Sequence, residues 1–311
     1  MIVVERAPPY LTVQDAGRSG YRASGVPRSG AMDQWAFASA NRIVGNPPGA
    51  AALEWAIGAG SLRFDHHAVI SLTGADVEAT VDGAPVAMDA AIAVNAGQQL
   101  DVHRLIARRF LYIGVRGGVD CPLVLGSRST YLPAAMGGID GRRLARGDAI
   151  PTGNGLPTAA ARAGAPAPNR FKPDYNSNII RIIAATEQVA LDGTAVEATP
   201  ESTLLMESFL DGRYTVSLAS DRTGYRLEGE QVLEFANTSI TSEPVCAGTI
   251  QLPPGGHPIV LMADSPTIGG YRILGTVISS DLPILAQSVP GRTLTFARIS
   301  VDAAQRLVRR A

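Results

Sequence analysis

The chain has 311 residues, 46% hydrophobic and 18% charged, a composition that buries a core and excludes a disordered polypeptide. Lys and Arg number 27 against 28 Asp and Glu. There is thus no basic excess to displace counterions, and nucleic acid is excluded as the main partner.

Lys172 is the only lysine. A Walker A loop, which needs a phosphate-contacting lysine, is therefore absent, and Phe171-Lys172-Pro173 resembles neither a Schiff-base nor a biotin-bearing site. Cys121 and Cys246 each lack a second Cys or a His at ligand spacing. The expectation is two reduced, buried thiols in a cytosol and no structural zinc or other metal. Glu5, Pro8 and Pro9 stand where a signal peptide would have its apolar core. No apolar run approaches the ~20 residues that span a bilayer. A cytoplasmic protein with no membrane partner is expected.

The predicted elements are mostly short strands between glycine- and proline-marked turns. The first helical pattern is 33–44, where Trp35, Phe37, Ala38, Ile43 and Val44 approximate one face and Gly45-Asn-Pro-Pro48 stops it. Strand-length runs follow at 68–72, 78–81, 91–94 and 110–115. Asp82-Gly83 reads as a hairpin turn between 78–81 and 85–88. Residues 151–170 carry neither period nor bulk and read as a linker between domains at 1–160 and 161–311. Further strands are expected at 179–184, 215–218, 258–262 and 293–299. Short helices are expected at 281–286, capped by Asp281 with Pro283 in its first turn, and at 302–310. The pattern predicts a mainly β protein of two barrel- or sandwich-like domains with few short helices.

Common catalytic constellations are missing. His66 and His67 would point to opposite sides of a strand and are expected as turn residues rather than metal ligands. His257 sits in a tight Pro-Pro-Gly-Gly-His-Pro turn, and no Gly-x-Ser-x-Gly elbow occurs. Three segments carry more information. In 12–33, polar groups fall among glycines before the helix; Ser29 or Asp33 can cap it, and the free N–H groups at its start can hold an anion, the alternative being a capped helix with no ligand. In 115–130, a strand ending in Arg116-Gly117-Gly118 allows close backbone approach and Arg128 offers a fork for an oxyanion; the alternative is two turns with a surface arginine. In 220–229 with 263–271, Arg222, Tyr225, Arg226, Asp264 and Tyr271 can converge on a planar, oxygen-rich substrate. Asp264 is then the general-base candidate and Arg226 the stabiliser of oxyanion charge. The alternative is a structural ion pair between Asp264 and one arginine.

In this order, the segments resemble the KipA-type carboxyltransferase family, which includes the C-type subunit of 5-oxoprolinase, proteins labelled allophanate hydrolase subunit 2 and part of the carboxyltransferase region of urea carboxylase. The matching stretches are Thr12-Val-Gln-Asp-Ala-Gly-Arg18, Gly25-Val-Pro-Arg-Ser-Gly-Ala-Met-Asp33, Asn41-Arg-Ile-Val-Gly-Asn46, Ala52-Leu-Glu54 and Leu72-Thr-Gly-Ala-Asp76. They continue through Arg116-Gly-Gly-Val-Asp120, Gly126-Ser-Arg-Ser-Thr130, Ser220-Asp-Arg-Thr-Gly-Tyr-Arg-Leu-Glu-Gly229 and Gly248-Thr-Ile-Gln-Leu-Pro-Pro254. Gly269-Gly-Tyr271 and Ser280-Asp-Leu-Pro-Ile-Leu-Ala-Gln287 complete the set.

The resemblance implies cyclophilin-like barrel character. It also implies a role in ATP-dependent opening of the lactam of 5-oxoproline to glutamate, or in related amide chemistry. The implied partners are the KipI-like B-type subunit of 5-oxoprolinase and its A-type subunit, with ATP used by the complex and no biotin on this chain. Two other roles are open: a non-catalytic KipA-like protein binding a KipI-type kinase inhibitor, or a component of biotin-dependent carboxyl transfer to urea. The expected roles are catalytic for Asp264, Arg226 and Tyr271, and substrate-binding for Ser29, Asp33, Arg116, Arg128, Arg222 and Tyr225. Two places depart from the family pattern. Asp264-Ser-Pro-Thr-Ile-Gly-Gly-Tyr-Arg272 stands where the family has Asp-Arg-Gln-Thr-Thr-Gly-Gly-Tyr-Pro. Ala184-Ala-Thr-Glu-Gln188 replaces a Gly-Pro-Gln-like turn.

Overall fold

A computed structural model describes residues 1–153, 172–185, 199–232 and 239–309. The expected linker lies outside these residues from 154 onward, as do 186–188 of the departing turn. The chain divides into two compact units, Met1–Gly20 with Arg28–Asn169, and Tyr21–Pro27 with Arg170–Ala311.

The first unit is a curled half-barrel sheet. Its strands are β1 (Ile2–Arg6), β2 (Tyr10–Gln14), β3 (Ala52–Ala56), β4 (Gly60–Phe64), β5 (Ala68–Val81), β6 (Ala84–Pro85), β7 (Ala91–Val94), β8 (Gln99–Val115) and β9 (Ala149–Ile150). Strands pair in the order β2-β3-β8-β4-β1-β9, and β5 pairs with β6, β7 and β8. The expected runs 68–72 and 78–81 belong to one long strand, β5. Residues 110–115 are only the end of β8. The expected hairpin is present: Asp82 and Gly83 both have positive φ, 47° and 82°, and Val81 pairs with Ala84. Two successive left-handed residues match the twist of the flanking strands. One face of the sheet is apolar, built on Val4, Leu53, Trp55, Leu62, Phe64 and Ile113, all fully buried.

The opposite face carries a row of polar residues in register across four strands: Thr12 on β2, Glu54 on β3, Tyr112 on β8 and Thr73 on β5. All four are fully buried. Strand alternation puts Leu53 and Trp55 in the core and sends Glu54 to this side. Helix α1 (Gln34–Ile43) lies over it, with Thr73 Oγ1 donating to Ala36 O at 2.8 Å and Ser71 Oγ to Ala40 O at 2.7 Å. Gly114 makes this approach possible, since a Cβ there would stand 2.7 Å from Ala40 O.

The second unit is a closed barrel. Its strands are β10 (Ile179–Ala184), β11 (Tyr214–Val216), β12 (Gly224–Gly229), β13 (Ser239–Pro244), β14 (Thr249–Leu252), β15 (Ile259–Leu261), β16 (Ile268–Val277) and β17 (Thr293–Arg298). The order β10-β17-β11-β12-β15-β14-β16 closes on itself because β10 also pairs with β16, making seven strands, with β13 added outside on β16. Closure removes the exposed edges of an open sheet. The mainly β fold class expected from the sequence holds for both units.

Helix α2 (Pro200–Asp211) was not anticipated. Thr199 caps it by accepting from Ser202 N, Pro200 occupies its first turn, and Phe209 packs on Tyr214 and Phe296 at centroid distances of 5.4 and 4.7 Å. Helix α3 (Leu282–Ala286) and helix α4 (Val301–Arg309) lie where helices were expected. The capping role expected for Asp281 is corrected. Its side chain makes no cap hydrogen bond and instead accepts from the backbone N, Nε and Nη2 of Arg181, whose charge-assisted donors outcompete a helix-end amide.

Candidate functional site

In the first unit, segments 15–18 and 28–31 cross with no space for side chains. Gly17 and Gly30 both have positive φ, and a Cβ on Gly17 would stand 2.7 Å from Arg28 O. The crossing is fastened by Arg18 N to Arg28 O and Ala31 N to Asp15 O. Asp15 then gathers the 127–130 segment. Its carboxylate accepts from Ser127 Oγ at 2.7 Å, from Arg128 N at 2.6 Å and from Ser129 Oγ, while also holding Gly17 N. Arg18, 1% exposed, donates through Nη2 to Ser129 O. The glycines and small polar residues of these motifs therefore serve a close crossing.

Ser29 and Asp33 belong to the same buried structure. Ser29 has φ 55° and its hydroxyl donates to Thr130 O. Asp33 caps α1 by accepting from Ala36 N at 2.9 Å. Its own N–H donates to Tyr112 Oη, which donates to Glu54 Oε2; Met32 N donates to that same oxygen. Burial and the neighbouring carboxylates of Glu54 and Asp33 push the Tyr112 phenol well above its ordinary range. Arg128 donates through Nε to Cys121 O and through Nη2 to Asp120, at the surface. Arg116, by contrast, lines a cavity beside His66 and His67.

In the second unit, Arg222 and Asp264 form a buried two-point pair: Nε to Oδ2 at 2.8 Å and Nη2 to Oδ1 at 2.9 Å. The side chains are 7% and 4% exposed. Asp264 N donates to Arg222 O, so backbone and side chain together brace the loop before β16. Both Asp264 oxygens are thus engaged by a guanidinium, which is the structural ion pair that stood as the alternative. Tyr225 and Arg226 are neighbours on β12 and face opposite ways. Tyr225 is fully buried and donates to Ala286 O at 2.7 Å, whereas Arg226 is exposed. Tyr271 on β16 is 42% exposed. Arg272, where the family pattern has proline, donates to Glu201 in the first turn of α2 at 2.9 Å.

Two polar groups of this region are not evident from the sequence. Gln251 Nε2 and Ser265 Oγ are buried without a hydrogen-bond partner among the described residues. Gly269 leaves room for the Gln251 amide, since a Cβ there would lie 2.2 Å from Nε2. Ser265, in the loop before β16, and Gln251, on β14, therefore keep hydrogen-bonding capacity that no described residue uses. The signal available in the sequence is a glutamine between Ile250 and Leu252 on β14. Among the described residues no cluster of three His, Cys, Asp or Glu side chains can hold a metal, and no helix is long and apolar enough to cross a membrane.

A half-barrel and a closed barrel carrying these motifs define a carboxyltransferase-type domain. Residues 24–298 match the family model for the carboxyltransferase domain, subdomain A and B, and the chain belongs to that family. It is 34% identical over 304 residues to the C-type subunit of 5-oxoprolinase from Escherichia coli (strain K12), covering 98% of this chain and 93% of that one. It is 32% identical to urea amidolyase of Lachancea kluyveri, covering 96% of this chain but 17% of the relative. The crystal structure of K. lactis urea amidolyase superposes with TM-score 0.87 at 29% identity, over 99% of this chain and 19% of that one. The chain therefore spans less than a fifth of these amidolyases.

Proposed function

We propose that this chain is the C-type subunit of an ATP-dependent 5-oxoprolinase, acting with KipI-like B-type and A-type partners to open the lactam of 5-oxoproline to glutamate. The observation that supports this reading is the 34% identity to a 5-oxoprolinase C-type subunit over 98% of this chain, beside 32% to a urea amidolyase over 96%. ATP is consumed by the complex, and biotin is not attached here.

In the barrel, Arg226 and Tyr271 are the candidates with exposed side chains, and the loop before β16 adds the buried Ser265 hydroxyl, which has no partner among the described residues. Arg226 is assigned to the developing negative charge on the lactam oxygen, where a positioned guanidinium acts most strongly. Tyr271 is assigned to orienting the amide. Asp264 and Arg222 brace the loop that leads into β16, the strand that carries Tyr271. The test is glutamate release from 5-oxoproline and ATP by the three reconstituted subunits, with this chain alone inactive. Arg226→Ala is expected to lower turnover by roughly 100-fold; a fully active Arg226→Ala complex would remove that role.

A second reading is favoured by the fold match to urea amidolyase: carboxyl transfer to urea from biotin carried on another chain. Urea-dependent turnover that avidin abolishes would select it. Binding of a KipI-like partner without turnover of either substrate would select the regulatory reading.

A further inference from the structure

We propose that the cavity of about 510 Å³ in the first unit is an oxyanion-binding site, built for a carboxylate or phosphate group by Arg116, His66 and His67. The site does not depend on which amide the complex processes.

Three parts of the half-barrel meet there. His66 and His67 form the turn between β4 and β5; Arg116 follows the last residue of β8; Thr152 follows β9. The backbone locks these pieces together. Arg116 N donates to Val69 O at 2.9 Å, Thr152 bridges to Val119, and Asp120 N donates to Pro151 O.

Hydrogen bonds aim the side chains, and the one made by Arg116 leaves donors over. Arg116 Nε donates to Val44 O at 3.1 Å, which fixes the plane of the guanidinium while both terminal nitrogens have no partner among the described residues. A guanidinium anchored through Nε presents its remaining N–H groups as a fork, the shape that receives two oxygens of one anion. His67 Nδ1 lies 3.4 Å from Asn95 Oδ1. An amide oxygen only accepts, so Nδ1 carries a proton; Nε2 is the ring nitrogen left, and it donates to an oxyanion only when the ring holds a second proton. His66 Nε2 lies 3.2 Å from Thr152 Oγ1 and its Nδ1 lies 2.6 Å from the backbone nitrogen of Met1.

Among the described residues, no carboxylate lines the cavity. The acidic residues beside it in sequence are already paired, Asp65 with Arg63 and Asp120 with Arg128. An arginine fork with no opposing acid makes a local positive potential, although the chain as a whole is nearly neutral. The volume suits a small organic acid or a phosphorylated molecule.

The test is titration of the full chain with inorganic phosphate and, separately, with acetate, following the imidazole signals of all four histidines by NMR. His103, beside Thr80 on the β5–β8 pair, and His257, in a barrel turn, are internal controls. Expected are saturable shifts of His66 and His67 with little change at the controls. Saturation by phosphate alone assigns the site to phosphate, and by acetate alone to carboxylate; both outcomes support an oxyanion site. Arg116→Gln is expected to weaken the response by roughly tenfold or more, as removal of a charge-assisted fork does. If that variant does not fold, His67→Gln is read instead, with the same direction of effect. Shifts that do not saturate, that affect all four histidines equally, or that persist undiminished in these variants would overturn the proposal.

Discussion

Asp264 and Arg222 satisfy each other inside the barrel, and the consequence of separating them differs from that of losing an exposed arginine. Asp264→Ala leaves a guanidinium buried without its counter-ion, which is expected to destabilise by about 3–5 kcal/mol, read as a lower denaturant midpoint. Arg226→Ala is expected to leave the midpoint unchanged while lowering turnover of the complex, because its side chain is exposed. That contrast separates a bracing residue from one that touches substrate. Tyrosines give a pH prediction. Burial raises the phenol pKa of Tyr112, and of Tyr214 on β11, in the folded state. Unfolded phenols ionise near ~10, so the stability that these two supply is full below that pH and is lost as pH rises above it toward their folded values. An absorbance titration is expected to show both ionising only as the chain unfolds.

Among the helices, α1 was legible and α2 was not, for opposite reasons. α1 has a clear apolar face, an Asp33 cap and a Gly-Asn-Pro-Pro stop, so local signals agree with its tertiary seat. α2 buries Leu205, Met206 and Phe209, while Leu204 beside them is 51% exposed, which blurs the period. Its readable signal was the start, Thr199 followed by Pro200 and Glu201. Asp33→Ala is expected to cost about 1 kcal/mol through loss of the cap. Gly114→Val is a harsher change, since its Cβ meets Ala40 O and Ser71 Oγ at 2.7 Å and must push α1 off the sheet. About 1–3 kcal/mol of overpacking is expected, measured by thermal unfolding.

The barrel recruits a segment from near the start of the chain. Arg22, within Tyr21–Pro27, donates through Nη2 to Val245 O and at 3.4 Å to Pro266 O, joining two barrel loops from more than 220 residues away. Arg22→Ala is expected to raise amide hydrogen exchange across 244–267 while leaving the β10–β17 pairing protected. Unchanged exchange there would show that the segment adds nothing to the barrel.

Fold class, α1, the Asp82-Gly83 hairpin and the family could all be read along the chain, because turn residues, alternation and ordered motifs act locally and survive in one dimension. The residues of the polar row and of the glycine crossing were visible there too, but not their purpose. Folding in three dimensions is what joined Glu54, Tyr112 and Asp33 in one buried network and set Asp264 against Arg222. It also turned Tyr225 inward and Arg226 outward, and it brought two histidines to a cavity with Arg116. Those outcomes depend on strand register and on closure between β10 and β16, contacts between residues far apart in the chain. A shift of one residue in register would reverse every face, and no local pattern records which register wins.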